Sequence, residues 1–250
     1  MGVFDVKIPA NGDTLSFRFG AIDCQATLTD LVVPAWQLCD AVVTDTLGRL
    51  GKNGTQVSCK AKCCKCCSYI VPSIAPEAFV IDSHLVSMPR EHKEPVLRNT
   101  LAAIEKIQAN NFTAAAPGDD KSLENTLSDL SGWYKELEIT CPFLLDNQCA
   151  IYDKRPLVCR ELLTVSDASA CGKETPETPE SVKLPVSIAE ALIRTCDKLD
   201  EKAGGIILLP LIIPWCESNA RLTHKTWPAK KLTKLFIESI YESITEKNGG

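Results

Sequence analysis

The stretch Cys59-Lys60-Ala61-Lys62-Cys63-Cys64-Lys65-Cys66-Cys67 places five cysteines in nine residues. Core packing asks for nothing of the kind, because buried cysteines behave as small hydrophobes and are scattered at strand or helix spacing. Thiolates are also ligands of soft and borderline metals, and several within one turn of chain can surround a single ion or cluster. The nonapeptide therefore reads as a metal nest, and the fold is expected to be organised around it.

The choice between metal and disulfide follows from the rest of the sequence. The chain has 13 cysteines, an odd number, and vicinal pairs such as Cys63-Cys64 and Cys66-Cys67 suit ordinary disulfide geometry poorly. The first residues, Met1 to Ile8, alternate apolar and polar side chains and show no basic segment followed by an apolar one. Val6 stands where an acylation signal requires Ser or Thr. A reducing, cytoplasmic setting is expected, where clustered cysteines serve metals or redox chemistry.

Length and composition describe an ordinary globular chain. At 250 residues, 45% hydrophobic and 24% charged, it can bury a core without help from a metal. A net charge of −5 gives no support for a nucleic-acid partner. The most apolar run, Ile206 to Trp215, is too short to span a bilayer and is broken by Pro210 and Pro214, so no membrane association is expected.

Local patterns predict a mostly α chain with a small N-terminal β-hairpin. Phe4, Val6 and Ile8 alternate with polar residues, as do Leu15, Phe17 and Phe19, and Asn11-Gly12 lies between them as a turn. A helix with Leu31, Leu38 and Val42 on one face follows, ending at Gly48 or Gly51. Further helices are expected to start near Ser73–Glu77, to run from about Pro95 to Ala109, and to end near Trp133. Ala114–Asp120 reads as a loop, and Cys171 to Val186 as irregular chain. Ser187 and Glu190 suggest a capping box on a helix ending near Gly204-Gly205, and a last helix covers about Pro228 to Glu246. The expected organisation is one metal-stitched domain. In it, 1–58 supply a hairpin and helix, 59–171 the cysteine core, and 187–250 the C-terminal helices.

A second cysteine set lies in Cys141-Pro-Phe-Leu-Leu-Asp-Asn-Gln-Cys149-Ala-Ile-Tyr-Asp-Lys-Arg-Pro-Leu-Val-Cys159-Arg160. Taken with the nest, it resembles the bacterial YkgJ-like cysteine-cluster family, described as a zinc- or iron-chelating domain. That family's pattern is C-x3-C-x2-C-C, then C-P-F-L, then C-x-I-Y-x2-R-P-x2-C-R. Cys59, Cys63, Cys66 and Cys67 match its first part, and Cys141, Cys149 and Cys159 match its second, with Pro142, Ile151, Tyr152, Arg155, Pro156 and Arg160. Cys171 falls where some members carry a further cysteine. Cys64 departs from the pattern by replacing a usual glycine. The resemblance implies a metal-binding role for these eight cysteines: Cys59, Cys63, Cys66, Cys67, Cys141, Cys149, Cys159 and Cys171. The flagellin lysine methylase has a similar pattern and is thought to carry an iron–sulfur cluster, so a cluster-dependent methyltransferase stands as the alternative to a binding module.

Spacing weighs one metal against another. Cys59-x3-Cys63 and Cys63-x2-Cys66 are acceptable zinc knuckles, but the downstream cysteines are separated by seven, nine and eleven residues and form no second knuckle. An iron–sulfur cluster tolerates such mixtures of close and distant thiolates, so it is the favoured cofactor with zinc as alternative. Cys66 and Cys67, expected to point apart on a regular backbone, suit two metals better than one ion. C-x3-C-x2-C is also the spacing of radical S-adenosylmethionine enzymes. The chain lacks their strand–helix alternation, and Lys65 stands where they carry an aromatic residue.

Arg155 and Arg160 are expected to act structurally around the site, and Tyr152 to pack. Lys60, Lys62 and Lys65 are either solvated charges or offsets for thiolate charge. Cys24, Cys39, Cys196 and Cys216 are expected to be packing residues, and His84 and His92 not to be ligands. No phosphate loop or Ser-His-Asp set is found.

Overall fold

The computed structural model describes residues 2–10, 13–21, 24–60, 62–110, 123–171, 179–200 and 205–249. Strands β1 (Gly2–Ala10) and β2 (Asp13–Ala21) pair antiparallel in full register, with Val6 opposite Phe17 and Phe4 opposite Phe19. Their alternation works as the sequence indicates: Val6, Ile8 and Phe19 are buried while Asp5, Lys7 and Arg18 face outward. The Asn11-Gly12 turn lies outside the described residues, as does the 114–120 loop.

A two-residue strand β3 (Gln25–Ala26) and a 3-10 turn over Leu28–Leu31 lead into α1 (Val32–Lys52). Gly48 and Gly51 do not end this helix. It runs on until Asn53, whose amide bonds back to Arg49 and Leu50, and Gly54 takes the left-handed φ of 78° that turns the chain away. Next come β4 (Pro72–Ile74) and α2 (Ala75–Ser87), whose start carries Pro76 as the sequence suggests. Helix α3 (Arg90–Ala109) begins five residues before Pro95. The Pro89 carbonyl accepts from the amides of His92 and Lys93, so the first turn forms ahead of the proline and Pro95 is carried inside.

Helix α4 (Leu123–Glu136) precedes a minimal hairpin, β5 (Leu144–Leu145) and β6 (Gln148–Cys149), and the short α5 (Leu157–Glu161). Helix α6 (Ile188–Leu199) is followed by β7 (Ile206–Leu208), α7 (Ile212–Asn219), β8 (Trp227–Pro228) and α8 (Ala229–Gly249). Helix α6 stops at Leu199, short of the two glycines. Its cap is half of the expected box. Ser187 Oγ accepts from the Glu190 amide, but the reciprocal carboxylate is that of Glu161, which takes the Ser187 hydroxyl and the Ile188 and Ala189 amides at 2.6–2.9 Å.

The chain is thus mostly helical with a short N-terminal hairpin. Helix α8 packs on both hairpin strands and on α6, with the Phe236 ring edge-on to Phe19 at 5.9 Å. One cluster of buried side chains joins the hairpin to α1, α2, α6, α7 and α8, and a smaller one gathers Ala103, Tyr134, Leu137 and Ile139 around α3 and α4. Cys39, Cys196 and Cys216 belong to the large core, whereas Cys24 is exposed and lies outside it. Strand β4 pairs with the distant β7, and β3 with β8, so the ends of the chain close over its middle. No helix among the described residues is long and apolar enough to cross a membrane.

Candidate metal centre

The upstream cysteines sit on a loop that tightens into a 3-10 turn over Lys65–Ser68. Its bonds are local: Cys63 N–H to Lys60 O, Cys67 N–H to Cys64 O, and Tyr69 N–H to Cys66 O, each 3.0 Å. Lys62 holds a left-handed φ of 69°, which swings the chain so that Cys63 faces inward. The downstream cysteines are set differently. Asp146 and Asn147, both with positive φ, form a two-residue turn that places Cys149 opposite Leu144. The Cys141 amide donates to the Cys67 carbonyl at 2.7 Å, joining the two halves directly.

Together the halves enclose a chamber of about 280 Å³ lined by Cys63, Cys66, Cys67, Cys141, Cys149 and Cys159. Apolar wall comes from Ile70, Val71, Pro72, Val158 and Leu209, and Lys62, Tyr152, Arg155 and Leu162 lie on the lining as well. Tyr152 and Leu162, 44% and 43% exposed, bring this lining to the surface. Tyr152 therefore packs at the rim of the chamber and not in the core. Cys59 and Cys171 line a separate small cavity together with Cys63 and Cys66. Cys64 lines neither; its thiol donates to Asn147 Oδ1 at 3.6 Å.

Cys66 and Cys67 both line the chamber, and a hydrogen bond between their thiols holds Cys66 down at about 7 and drives Cys67 far up, while Cys66 alone of the two also lines the small cavity. Burial pushes Cys141 up to about 12, against the opposing effect of the Phe143 amide. Burial likewise raises Cys149 and Cys159, and the nearby Arg155 guanidinium works in the other direction on both. Cys59 is raised by burial and eased by the Thr164 amide, which donates to its sulfur at 3.4 Å.

The two arginines of the RPLVCR segment have separate jobs. Arg160, 5% exposed, gives two bonds to Asp40 at 2.7 and 2.8 Å, one to Arg155 O and one to Asp153 O, and lies over the Trp36 ring. It is structural. Arg155 stacks on Tyr152 at 4.3 Å, its buried Nε has no hydrogen-bond partner, and it lines the chamber. Sequence reasoning also missed Glu77. Buried on α2, it accepts from Trp36 Nε1 at 2.9 Å and from the Leu157 amide at 2.8 Å, fixing the start of the helix that carries Cys159. Only its place in an apolar run marked it, since its partners lie 41 and 80 residues away.

Residues 58–181 match the family model described as "CxxCxxCC: Putative zinc- or iron-chelating domain". This stretch is a CxxCxxCC domain, of the YkgJ-like cysteine-cluster family. No curated protein and no solved structure matches the chain. Metal chelation through cysteine is thus the chemistry of the CxxCxxCC domain here. Its donors fit such a role: thiols from two segments share one chamber, backbone N–H groups face Cys59, Cys141 and Cys149, and Arg155 supplies positive charge. Among the described residues, no three Cys, His, Asp or Glu side chains are already gathered about a single point. The CxxCxxCC chamber is wider than one ion.

Proposed function

We propose that the CxxCxxCC domain uses Cys59, Cys63, Cys66, Cys67, Cys141, Cys149, Cys159 and Cys171 to bind metal, and that the chamber holds an iron–sulfur cluster with a structural and redox role. The observation that carries this reading is the lining of one 280 Å³ space by six thiols from two distant segments. A single zinc ion needs four sulfurs about one centre, whereas a cluster spreads its irons over bridging sulfide and accepts cysteines from a wider ring. When bound, the cluster supplies one-electron chemistry. The protein's own part is to present thiolates, to offset their charge with Arg155 and to keep apolar wall on the far side. A chamber lined out to Tyr152 and Leu162 at the surface suits exchange with an outside electron partner or oxidant better than a sealed structural site does.

Anaerobic purification followed by iron, zinc and acid-labile sulfide analysis tests the proposal. The expected result is iron and sulfide in comparable amounts with broad visible absorption that bleaches on reduction. Zinc in the chamber without sulfide would overturn the cluster, and protein purified without metal of any kind would overturn metal binding itself.

A further inference from the structure

The eight cysteines do not face one space. Next to the chamber, and sharing Cys63, Cys66, Tyr69 and Leu162 with it, lies a second cavity, of about 30 Å³, lined by Cys59, Cys63, Cys66 and Cys171. We infer that the protein holds two metal centres of different kinds: a mononuclear site for a zinc-type divalent ion at Cys59, Cys63, Cys66 and Cys171, beside a multinuclear centre carried by Cys67, Cys141, Cys149 and Cys159. The inference rests on the chamber reading for the second of these centres and stands on separate observations for the first.

Size is the first of those observations. At about 30 Å³ against about 280 Å³ for the chamber, the cavity suits a single small ion where the chamber suits a larger group. Ligand count is the second. Four thiols are the full set of a closed tetrahedral zinc site, and C-x3-C-x2-C delivers three of them from a single loop. The remaining four cysteines then match the number that closes an iron–sulfur cluster.

The third observation is a frame of hydrogen bonds built around the small cavity as well as the large one. The Thr164 amide donates to Cys59 Sγ at 3.4 Å, the kind of N–H donor that orients a ligating sulfur. Thr164 is itself held, its carbonyl by the Ser58 amide at 3.0 Å and its hydroxyl by the Glu180 carbonyl at 2.7 Å. The Tyr69 hydroxyl donates to the Cys171 carbonyl at 2.8 Å, tying the 3-10 turn at Ala168–Cys171 to the loop that carries Cys63 and Cys66. The four sulfurs ring the cavity without converging on one point. Rotation of cysteine side chains between staggered wells is the movement that gathers them.

Cys63 and Cys66 line both spaces, so the decisive variants avoid them. Wild-type protein, Cys59→Ser/Cys171→Ser and Cys141→Ser/Cys149→Ser are purified anaerobically, and metals per chain are counted by native mass spectrometry and elemental analysis. Wild type should carry one zinc-type ion in addition to cluster iron. The Cys59/Cys171 variant should lose that one ion and keep iron, sulfide and visible spectrum, and the Cys141/Cys149 variant should do the reverse. Cys59→His should retain the ion, since zinc accepts three cysteines and one histidine. Cobalt(II) titration of wild-type protein freed of zinc gives a readout independent of any variant's folding: tetrahedral thiolate bands should saturate at one equivalent. Loss of both metals in parallel from both double variants, with helical circular dichroism unchanged, would overturn the two-centre arrangement. So would a cobalt titration with no saturating thiolate band. Wild type that lacks iron and sulfide yet binds one cobalt would refute the chamber reading and the two-centre arrangement with it, leaving only the mononuclear site.

Discussion

The two halves of the cysteine site meet face to face but are built on opposite plans. The downstream half, from Cys141 to Glu161, is pinned from outside by side chains. Asp40 holds Arg160, Glu77 holds the Leu157 amide, and Glu161 holds the start of α6. The upstream half, from Ser58 to Tyr69, is a loop with three local backbone bonds, tied outward by the Ser58–Thr164, Cys59–Thr164, Cys64–Asn147, Cys67–Cys141 and Tyr69–Cys171 contacts, none of them to a charged side chain. One half is set by charged side chains from elsewhere in the fold; the other, held by its own backbone and by its contacts with the first, is expected to depend more on metal for its order.

Metal removal should expose that difference most strongly. Ligation of this kind contributes on the order of 10 kcal/mol, comparable with the roughly 5–15 kcal/mol net stability of a typical domain. Hydrogen exchange on chelated protein should show protection lost from about Ser58 to Tyr69 and retained in β5, β6 and α5. Equal loss in both halves would break the comparison.

Arg160→Ala comes next. It removes an ion pair in which Nη1 reaches both Asp40 oxygens, two bonds to carbonyls and the Trp36 stack, and should destabilise metal-free protein by about 2–3 kcal/mol. Asp40, its side chain 55% exposed, regains water and keeps the cost from rising further. Arg155→Ala, by contrast, should cost less than about 1 kcal/mol, because it breaks no hydrogen bond. Urea denaturation of the two variants, compared in the absence of metal, measures the gap; equal costs would remove the distinction between a pinned and a free arginine.

Glu77 sharpens the comparison through pH. Burial raises its carboxyl from 4.5 to about 7, against the Trp36 and Leu157 donors. Both donors reach Oε1, so Oε2 can carry the proton. A raised folded-state value means the protonated form favours folding. Its contribution is full below pH 4.5 and is lost as pH rises through about 7, a fall of about 3 kcal/mol. Glu77→Gln should flatten that part of the stability–pH curve for metal-free protein. A curve unchanged by the substitution would show that Glu77 does not ionise there.

The smallest expected effect belongs to the upstream half. Cys64→Gly should leave metal content unchanged by native mass spectrometry, since Cys64 lines neither cavity. Its φ of −118° does not require glycine either, so the flexibility gained should cost no more than about 1 kcal/mol. Loss of a metal equivalent would make Cys64 a ligand.

What can be read from the sequence divides along the same line. Periodicity locates the hairpin and the helices because a buried face writes itself into every second or every third-to-fourth residue. Cysteine density marks the nest for the same local reason. The glycines of α1 mislead because a glycine ends a helix only where φ turns positive, and that happens at Gly54. Vicinal Cys66 and Cys67 should diverge on any regular backbone, a 3-10 turn included, so the contact between their thiols comes from side-chain rotation that no sequence pattern shows. Asp146-Asn147 is a turn signal legible in the sequence, and it sets the position of Cys149. Glu77–Leu157, Arg160–Asp40 and the β4–β7 pairing join residues 80, 120 and more apart, and no local pattern says which distant partner will arrive.

Those long-range ties bear on where the CxxCxxCC unit stops. The family match runs from 58 to 181, yet Trp36 and Asp40 come from before it, and Leu209 and the α6 start that Glu161 caps come after it. A fragment trimmed to the matched residues would leave Arg160 buried without its carboxylate, Glu161 without amides to receive and the chamber missing part of its wall. The borders of shared ancestry and of mechanical self-sufficiency therefore differ in this chain, and any transplant of the metal site into another protein must carry α1 and α6 along with the cysteines.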